Sequence, residues 1–358
     1  MKSILPFIAT LVLLSACKKP NVNKIESRSF KMGFSSWSYG PTAEDRENNY
    51  DLIFQNGDIY SEQIDDKIPW NAWINGTDLP NDFKDEIAYR VSKLNPEKEL
   101  LLTISPLNTD RSELIDDWDG SAHPDYTKIN DTIIENALFD HISYLINQFN
   151  PTYVLVGMES NDLYTHTPEK WEDYKDLMGN LRTRVKTAFP SVKISESITL
   201  HNWFEVDVSD QATFQAEIRD YVNQMDFAAI SYYPFFKGQH NAKQFQKAFD
   251  FLHENVSIPI AFVETTHLAN DLSIPSYNID IKSDAKEQDE YLRSLLLNAD
   301  EKDYLFVIWW SFRDYDALWE TFPEDVKDIG KIWRDTGLED ENGSPRPAFE
   351  SWKEVYLK

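Results

Sequence analysis

Short apolar runs alternate with longer amphipathic stretches along most of this chain. The run from Ile260 to Val263 is apolar at every position, which is typical of a strand buried on both faces. The longer stretches repeat apolar residues every three or four positions, as at Phe245, Phe249 and Leu252, which is typical of a helix packed on one side. Strands and helices in alternation predict a parallel sheet with helices against it.

Eight strands are predicted, and most are followed by a helix. The predicted strands cover residues 31–37, 58–64, 99–105, 153–157, 192–198, 227–233, 260–264 and 304–310. Helices are predicted over 81–94, 131–149, 168–189, 210–225, 242–255, 284–299 and 348–357, with a polar loop after the first strand. This pattern fits one (β/α)₈ TIM barrel over residues 30–358. A doubly wound open sheet is the alternative, but Gly33–Trp37 is not a glycine-rich phosphate turn.

The N-terminus has the features of a targeting segment. Lys2 precedes an apolar run from Ile4 to Leu14, which is too short for a stable membrane span. The run ends in Leu14-Ser-Ala-Cys17, which resembles the lipobox of a bacterial lipoprotein. The resemblance implies a signal peptide over residues 1–16, lipidation of Cys17 and a tether over 17–29. It also implies a lipid-anchored protein of the bacterial outer membrane and leaves the membrane face open. An ordinary signal peptide with a chance cysteine is the alternative.

Composition and charge exclude several classes of partner. The formal net charge is −26, which argues against nucleic acid and against an anionic membrane surface, because both are bound through Lys and Arg. The charge does not argue against a neutral polysaccharide as the partner. Aromatic residues make up 14% of the chain, including 11 Trp and 17 Tyr. They predict either a large aromatic core or a cleft in which rings stack on sugars. Cys17 is the only cysteine, so the folded part has no disulfide.

Two predicted strands end in a glutamate. Glu159 follows the apolar run Tyr153–Met158, and Glu264 follows Ile260–Val263. A carboxylate at the end of a buried strand is costly unless it is paired or used. The carboxyl ends of barrel strands form the active-site face, and glycoside hydrolysis needs two carboxyl groups there. Glu62 and Glu196, within the second and fifth strands, are fallback candidates. The absence of His-x-His and His-Glu-x-x-His spacing predicts no metal, and no other cofactor is expected.

The two glutamates, after strands four and seven, resemble the catalytic pair of the clan A glycoside hydrolases. Within that clan, Ser231-Tyr-Tyr-Pro-Phe-Phe236 is similar to the Ser-Tyr-Tyr-Pro-Phe-Trp segment of family 53, the endo-β-1,4-galactanases, and Val263-Glu-Thr265 resembles its nucleophile strand. The resemblance implies retaining hydrolysis with Glu264 as nucleophile and Glu159 as acid/base. The expected function is endo-hydrolysis of a neutral β-linked polysaccharide, with galactan, glucan and mannan left open.

Further residues are expected to bind substrate or orient the catalytic pair. Tyr232 or Tyr233 would hydrogen-bond Glu264, and parity at a strand end does not decide which. Trp310 shares parity with Ile308 and Phe312 and is expected to lie under the reacting sugar. The other candidates are His267 after strand seven, Trp37 after strand one, and Trp70 and Trp73 after strand two.

One residue departs from the clan pattern. Met158 stands where the clan usually has an Asn that binds the sugar 2-hydroxyl, and a thioether cannot donate that bond. Either Asn161 or Asn202 replaces that Asn, or the sugar is bound differently, or activity is lost. The last case predicts a non-catalytic glycan-binding lipoprotein with a hydrolase-like barrel.

Overall fold

The fold is a parallel barrel surrounded by helices. The computed structural model describes residues 20–358, so Cys17 and the predicted signal peptide lie outside the described residues. Its barrel strands are β1 (Lys31–Ser35), β2 (Ile59–Ile64), β3 (Glu99–Ile104), β4 (Tyr153–Leu155), β5 (Lys193–Ser195), β6 (Ser197–Thr199), β7 (Ala228–Tyr232), β8 (Ile260–Thr265) and β11 (Phe306–Trp309). A separate antiparallel hairpin joins β9 (Leu272–Ile274) to β10 (Ile279–Ile281).

Helices cover the outside of the barrel and fill its connections. They are α1 (Ala43–Asn56), α2 (Trp70–Asn75), α3 (Asn81–Val91), α4 (Thr132–Phe149), α5 (Asn161–His166), α6 (Trp171–Ala188), α7 (Leu200–Phe204), α8 (Gln211–Val222), α9 (Ala242–Asn255), α10 (Ala285–Glu301), α11 (Asp316–Trp319), α12 (Glu324–Gly330) and α13 (Pro347–Tyr356). Short 3-10 helices lie at Val22–Lys24, Pro168–Lys170, Pro234–Lys237, Pro275–Tyr277 and Lys331–Trp333. In the described part of the chain, no helix is both long and apolar enough to span a membrane.

The barrel closes through its fifth strand. The nine strands are ordered β5-β4-β3-β2-β1-β11-β8-β7-β6, and all neighbours are parallel. The predicted fifth strand is split at Glu196 into β5, which pairs with β4, and β6, which pairs with β7. The two ends of the sheet are therefore consecutive in the chain, and the predicted (β/α)₈ barrel is confirmed, with one strand position built from two pieces.

Alternate residues of the strands separate two apolar cores. The smaller core lies inside the barrel and contains Ile59, Leu101, Leu155, Phe227, Ala229, Ala261, Val263, Phe306 and Ile308. The larger one packs the outer faces of the strands against the helices. This period of two sets which strand residues can reach the barrel mouth and which can reach a helix.

The segment predicted as a tether, residues 17–29, folds onto the barrel in its described part. Val22 and Ile25 are buried among α10 and α13. Arg28 pairs with Asp58 at 2.6 Å, and its guanidinium also donates to the carbonyl oxygen of Tyr356. The folded unit thus begins near residue 22. In the sequence, Val22 and Ile25 are too far from other apolar residues to form a recognisable helix or strand pattern.

The loop predicted after the first strand contains the helix α1. Thr42 and Asp45 form a capping box at its start, each side chain accepting the other's backbone N–H. The apolar residues of α1 are few, and only Tyr50 and Ile53 among them are buried. A helix held mainly by its cap and a narrow apolar stripe gives little periodicity, which explains the wrong prediction.

Candidate active site

Glu264 lies at the end of β8 with its carboxylate in the barrel mouth. One oxygen accepts a hydrogen bond from the Tyr233 hydroxyl, and the other accepts from the Gln63 side-chain amide. The side chain is buried, and no salt bridge joins it to a cation among the described residues. Glu264 is therefore held in place by neutral donors.

Glu159 follows β4 in an unusual backbone conformation. Its φ is 53°, in the left-handed region that few residues other than glycine adopt, and its N–H donates to Ser197 Oγ at 2.8 Å. Its carboxylate pairs with Arg111 at 3.1 Å. Arg111 comes from the loop after β3, also has a positive φ, and donates to the carbonyl oxygen of Asn108 at 2.9 Å. Strained backbone of this kind is concentrated at functional sites.

The electrostatics of the mouth are dominated by carboxylates. Burial raises the pKa of Glu264 well above its ordinary value, and the charges of Glu159 and Asp65 raise it further. The Gln63 amide and the Arg111 guanidinium act in the opposite direction. Burial and the charge of Glu159 also raise the pKa of Asp162 to about 6. The charge of Glu159 therefore acts on both Glu264 and Asp162.

Tyr232, the last residue of β7, and Tyr233, which follows it, point in different directions. Tyr233 faces Glu264, while Tyr232 points to the helices, donates to Gln239 and packs against Phe249. Both rings are buried. The residue that orients Glu264 is therefore Tyr233, and Tyr232 does not reach the mouth.

Trp37 and Trp310 form an aromatic pair at the mouth. Their ring centroids are 5.4 Å apart, and Trp37 is 37% exposed. Trp310 is nearly buried, and its indole N–H has no hydrogen-bond partner among the described residues. Its neighbour Trp309 is fully buried and donates to the carbonyl oxygen of Thr336 at 3.0 Å. An indole ring whose N–H has no partner suits a sugar, which presents C–H faces and hydroxyl acceptors.

Two other tryptophans, Trp70 and Trp73, pack inside the protein. The indole N–H of Trp70 donates to the carbonyl oxygen of Ile115 at 2.8 Å, and that of Trp73 donates to His141 Nδ1 at 3.2 Å. Trp70 is fully buried. Trp70 is therefore unavailable for an outer subsite in this conformation, whereas Trp73 is only partly buried.

The two asparagines expected near Glu159 have different roles. The Asn161 amide is fully buried and bonds the Thr199 backbone and hydroxyl through both of its ends. Asn202 is half-buried and donates to Asp162 at 3.0 Å. Met158 is buried beside them. Asn202 is thus the one of the two that can still turn its amide toward a ligand.

His267 and His201 both lie behind the mouth. His267 is fully buried, with its ring against Phe235, Phe245 and Tyr291. His201 packs against Tyr233, and its Nδ1 accepts the Tyr233 backbone N–H at 3.4 Å. Burial lowers the pKa of His267 to about 4 and that of His201 to about 3. The expected substrate contact by His267 is not available in this arrangement.

The fallback carboxylates Glu62 and Glu196 face the helices. Glu62 accepts from Ser36, Tyr50 and Arg90 at 2.8–2.9 Å. Glu196 accepts from Ser160, Tyr174 and Tyr221 at 2.8–3.0 Å and pairs with Arg182. Both side chains are fully buried and satisfied, so they belong to the strand–helix layer and not to the mouth.

Gln63, Arg111 and Trp333 are among the site residues that were not predicted. Gln63 has the inward parity of Ser61 on β2, so its position was recoverable from the period of two. Arg111 lies in an irregular loop, and Trp333, whose ring lies 5.9 Å from Tyr233, comes from a 3-10 helix after β11. Loop and 3-10 residues follow no strand periodicity, so no sequence signal indicated either of them.

Residues 122–351 match the profile of glycosyl hydrolase family 53, well over half of the chain. The chain belongs to this family. It is accordingly an O-glycosyl hydrolase of the retaining clan A. No curated protein matches the chain in sequence.

Solved structures of related enzymes share the fold at low identity. A GH5_18 from Bifidobacterium longum subsp. infantis has a TM-score of 0.66 at 14% identity, over 92% of this chain and 79% of that one. A GH5_18 from Streptomyces cattleya in complex with GlcNAc has the same TM-score and identity, over 92% and 80%. The Ignisphaera aggregans GH53 catalytic domain has a TM-score of 0.56 at 17% identity, over 94% and 93%.

Proposed function

We propose that this protein cleaves a neutral β-linked polysaccharide internally, with Glu264 as nucleophile and Glu159 as acid/base. The observation that carries the assignment is the pairing of Glu264 with Tyr233 and Gln63 in the mouth. From this position Glu264 can approach an anomeric carbon, because its two neutral donors orient the carboxylate without forming an ion pair with it. The charge of Glu159, which follows β4, acts on Glu264 across the mouth.

The reaction would proceed in two steps. Glu264 attacks the anomeric carbon while Glu159 gives its proton to the departing glycosidic oxygen. A glycosyl ester on Glu264 results. Glu159 then takes a proton from water, which attacks the same carbon and releases Glu264. The hydrogen bonds from Tyr233 and Gln63 stabilise the carboxylate of Glu264 as it departs in the second step.

Asn202 is the group we propose for the sugar 2-hydroxyl in place of the clan asparagine. Met158 cannot donate, and Asn161 is fully engaged by Thr199. Asn202 donates to Asp162 and is only half-buried, so its amide can turn toward a sugar hydroxyl. The aromatic pair Trp37 and Trp310 would bind the flat faces of the sugar.

A polymer is favoured as substrate because the surface beside the mouth continues into further pockets. A cavity of about 400 Å³ begins at Gln63 and Asp65 and reaches Trp118. A second, of about 340 Å³, shares Asp66 and Lys67 with it and reaches His123. Family 53 membership favours β-1,4-galactan, with glucan and mannan as alternatives. Attachment to the outer membrane through Cys17 is part of the same proposal.

The decisive experiment compares wild type with Glu264→Gln on galactan, mixed-linkage glucan, laminarin and mannan, with products separated by size. We expect a ladder of oligosaccharides from one polymer and none from the variant. Release of monosaccharide alone would overturn internal cleavage. No release from any polymer, with wild type still retained on one of them, would overturn hydrolysis and favour the glycan-binding alternative suggested by Met158.

A further inference from the structure

Three side chains from three separate segments meet on the outside of the barrel, behind the loops that follow β7 and β8. His240 lies in the loop after β7, His267 in the loop after β8, and Glu287 in the first turn of α10. His240 Nδ1 contacts Glu287 Oε1, and His267 Nε2 lies 3.5 Å from the same oxygen. The three ligand atoms are all within 4.8 Å of one another.

The hydrogen bonding of His267 is incomplete without a cation. Its Nδ1 lies 3.2 Å from the carbonyl oxygen of Leu268, and its Nε2 lies 3.4 Å from that of Gln239. A neutral imidazole has one N–H, so it can donate to only one of these acceptors. The other ring nitrogen then directs its lone pair at oxygen lone pairs. Full burial of the ring opposes the doubly protonated form that would satisfy both.

A metal ion on Nε2 resolves this conflict. Nδ1–H would donate to the carbonyl oxygen of Leu268, and a backbone carbonyl is a common partner of the second nitrogen in metal-bound histidine. The Nε2 lone pair would then face the metal together with His240 Nδ1 and the Glu287 carboxylate. We propose that His240, His267 and Glu287 bind a borderline divalent metal ion of the Zn²⁺ class.

The donor set and its surroundings fit that class of ion. Two imidazoles and one carboxylate are ligands that Zn²⁺ accepts, with a fourth position left for solvent. Asp284 and Glu290 flank Glu287 and add negative potential around it. His240 and Glu287 are only partly buried, so solvent reaches the site.

The backbone under the site is already fixed. The Gln288 side-chain amide donates to the carbonyl oxygens of His267, Thr336 and Gly337, each at 3.1 Å. Phe235, Phe245 and Tyr291 enclose the His267 ring. Little rearrangement is needed for binding, and the ion would tie the loops after β7 and β8 to α10. No spacing motif indicates the site, since its ligands are 20 or more residues apart.

The test is a Zn²⁺ titration of untagged protein stripped of metal with EDTA, followed by calorimetry and thermal unfolding. We expect one site in wild type and a rise in Tm on saturation. His240→Ala and Glu287→Gln should each lower Zn²⁺ affinity by at least roughly tenfold and abolish the rise in Tm. His166→Ala removes an exposed histidine elsewhere and should leave both unchanged.

Neither His240 nor Glu287 is a core residue, so both variants should fold, and their Tm without metal checks this. Excess Ca²⁺ should not displace Zn²⁺, because imidazole disfavours a hard cation. Absence of one-to-one binding by wild type would overturn the proposal. The proposal would also be overturned if either ligand variant kept wild-type affinity or if Ca²⁺ displaced Zn²⁺. Either result would mean that the ion binds to the acidic surface. The outcome does not depend on hydrolysis, which the titration does not measure.

Discussion

Two pairs of glutamates lie on the barrel strands or at their ends, and the two pairs have opposite surroundings. In the strand–helix layer, Glu62 and Glu196 each meet an arginine and two or three hydroxyl donors. In the mouth, Glu264 has neutral donors only, and Glu159 shares one arginine with a cluster of other carboxylates. A carboxylate that is fully compensated serves stability, while one left in an uncompensated field keeps the reactivity that catalysis needs.

The largest expected effect is on activity, from Glu159→Gln. Loss of the proton donor should lower kcat/KM on polysaccharide by about 10²–10⁴-fold, the usual contribution of general acid–base catalysis. Aryl glycosides with acidic leaving groups should lose much less in the first step, because their departure needs no proton. Pre-steady-state kinetics on both substrates would measure this. The exposed Glu169→Gln is the control, and equal loss on both substrates would contradict the assignment.

The corresponding change in the strand–helix layer removes the cation beside a buried glutamate. Arg182→Met leaves Glu196 buried without its cation, which should cost about 3–5 kcal/mol of unfolding free energy. Urea denaturation would measure it, and activity per folded molecule should stay near wild type. The exposed pair of Arg219 and Asp220 gives the control Arg219→Met, with little expected change. If Arg182→Met were as stable as wild type, the glutamates of the strand–helix layer would not have the stabilising role that distinguishes them from those of the mouth.

Arg111→Gln should act on the pH profile. Glu264 must be ionised to attack, so kcat/KM falls as the pH drops through its pKa, which is already raised. Arg111 favours the ionised form, and its removal should therefore move the acidic limb to higher pH. Initial rates across a pH series measure the shift. An unchanged limb would show that Arg111 does not act on the nucleophile.

Gln63→Arg should have the opposite effect. A cation at this position would stabilise the ionised form of Glu264, so the acidic limb should move to lower pH, by roughly one unit. Gln224→Arg adds the same charge at an exposed position and is the matched control. If both variants shift the limb equally, the effect comes from net charge and not from the contact with Glu264.

The fold could be predicted because its signal is repeated. Eight apolar runs and their amphipathic helices each indicate the same architecture, and a shift of a few residues in one of them changes nothing. The exception is the split at Glu196, since a continuous apolar–polar alternation does not show where a strand changes partner. The helix α1 was missed because its stability comes largely from a cap.

The site could be predicted only where it lies on strands. Glu264 and Trp310 follow from strand ends and parity, whereas Tyr232 and Tyr233 sit where the strand stops and parity no longer applies. Asn161 and His267 are residue types that often contact a sugar. In the structure, the Asn161 amide is hydrogen-bonded to Thr199, and the His267 ring is enclosed by aromatic side chains. Arg111 depends on a loop conformation that no local pattern specifies.

The packing of residues 22–28 determines which way the enzyme would face. Val22 accepts a hydrogen bond from Lys358, and Arg28 binds Asp58, which directly precedes β2, so this segment lies at the amino ends of the strands. Only four residues separate Val22 from Cys17, a reach of roughly 18 Å when fully extended. A lipid on Cys17 would hold the base of the barrel at the bilayer surface and turn the opposite end toward the surrounding medium. Long glycan chains could then enter without passing between protein and lipid.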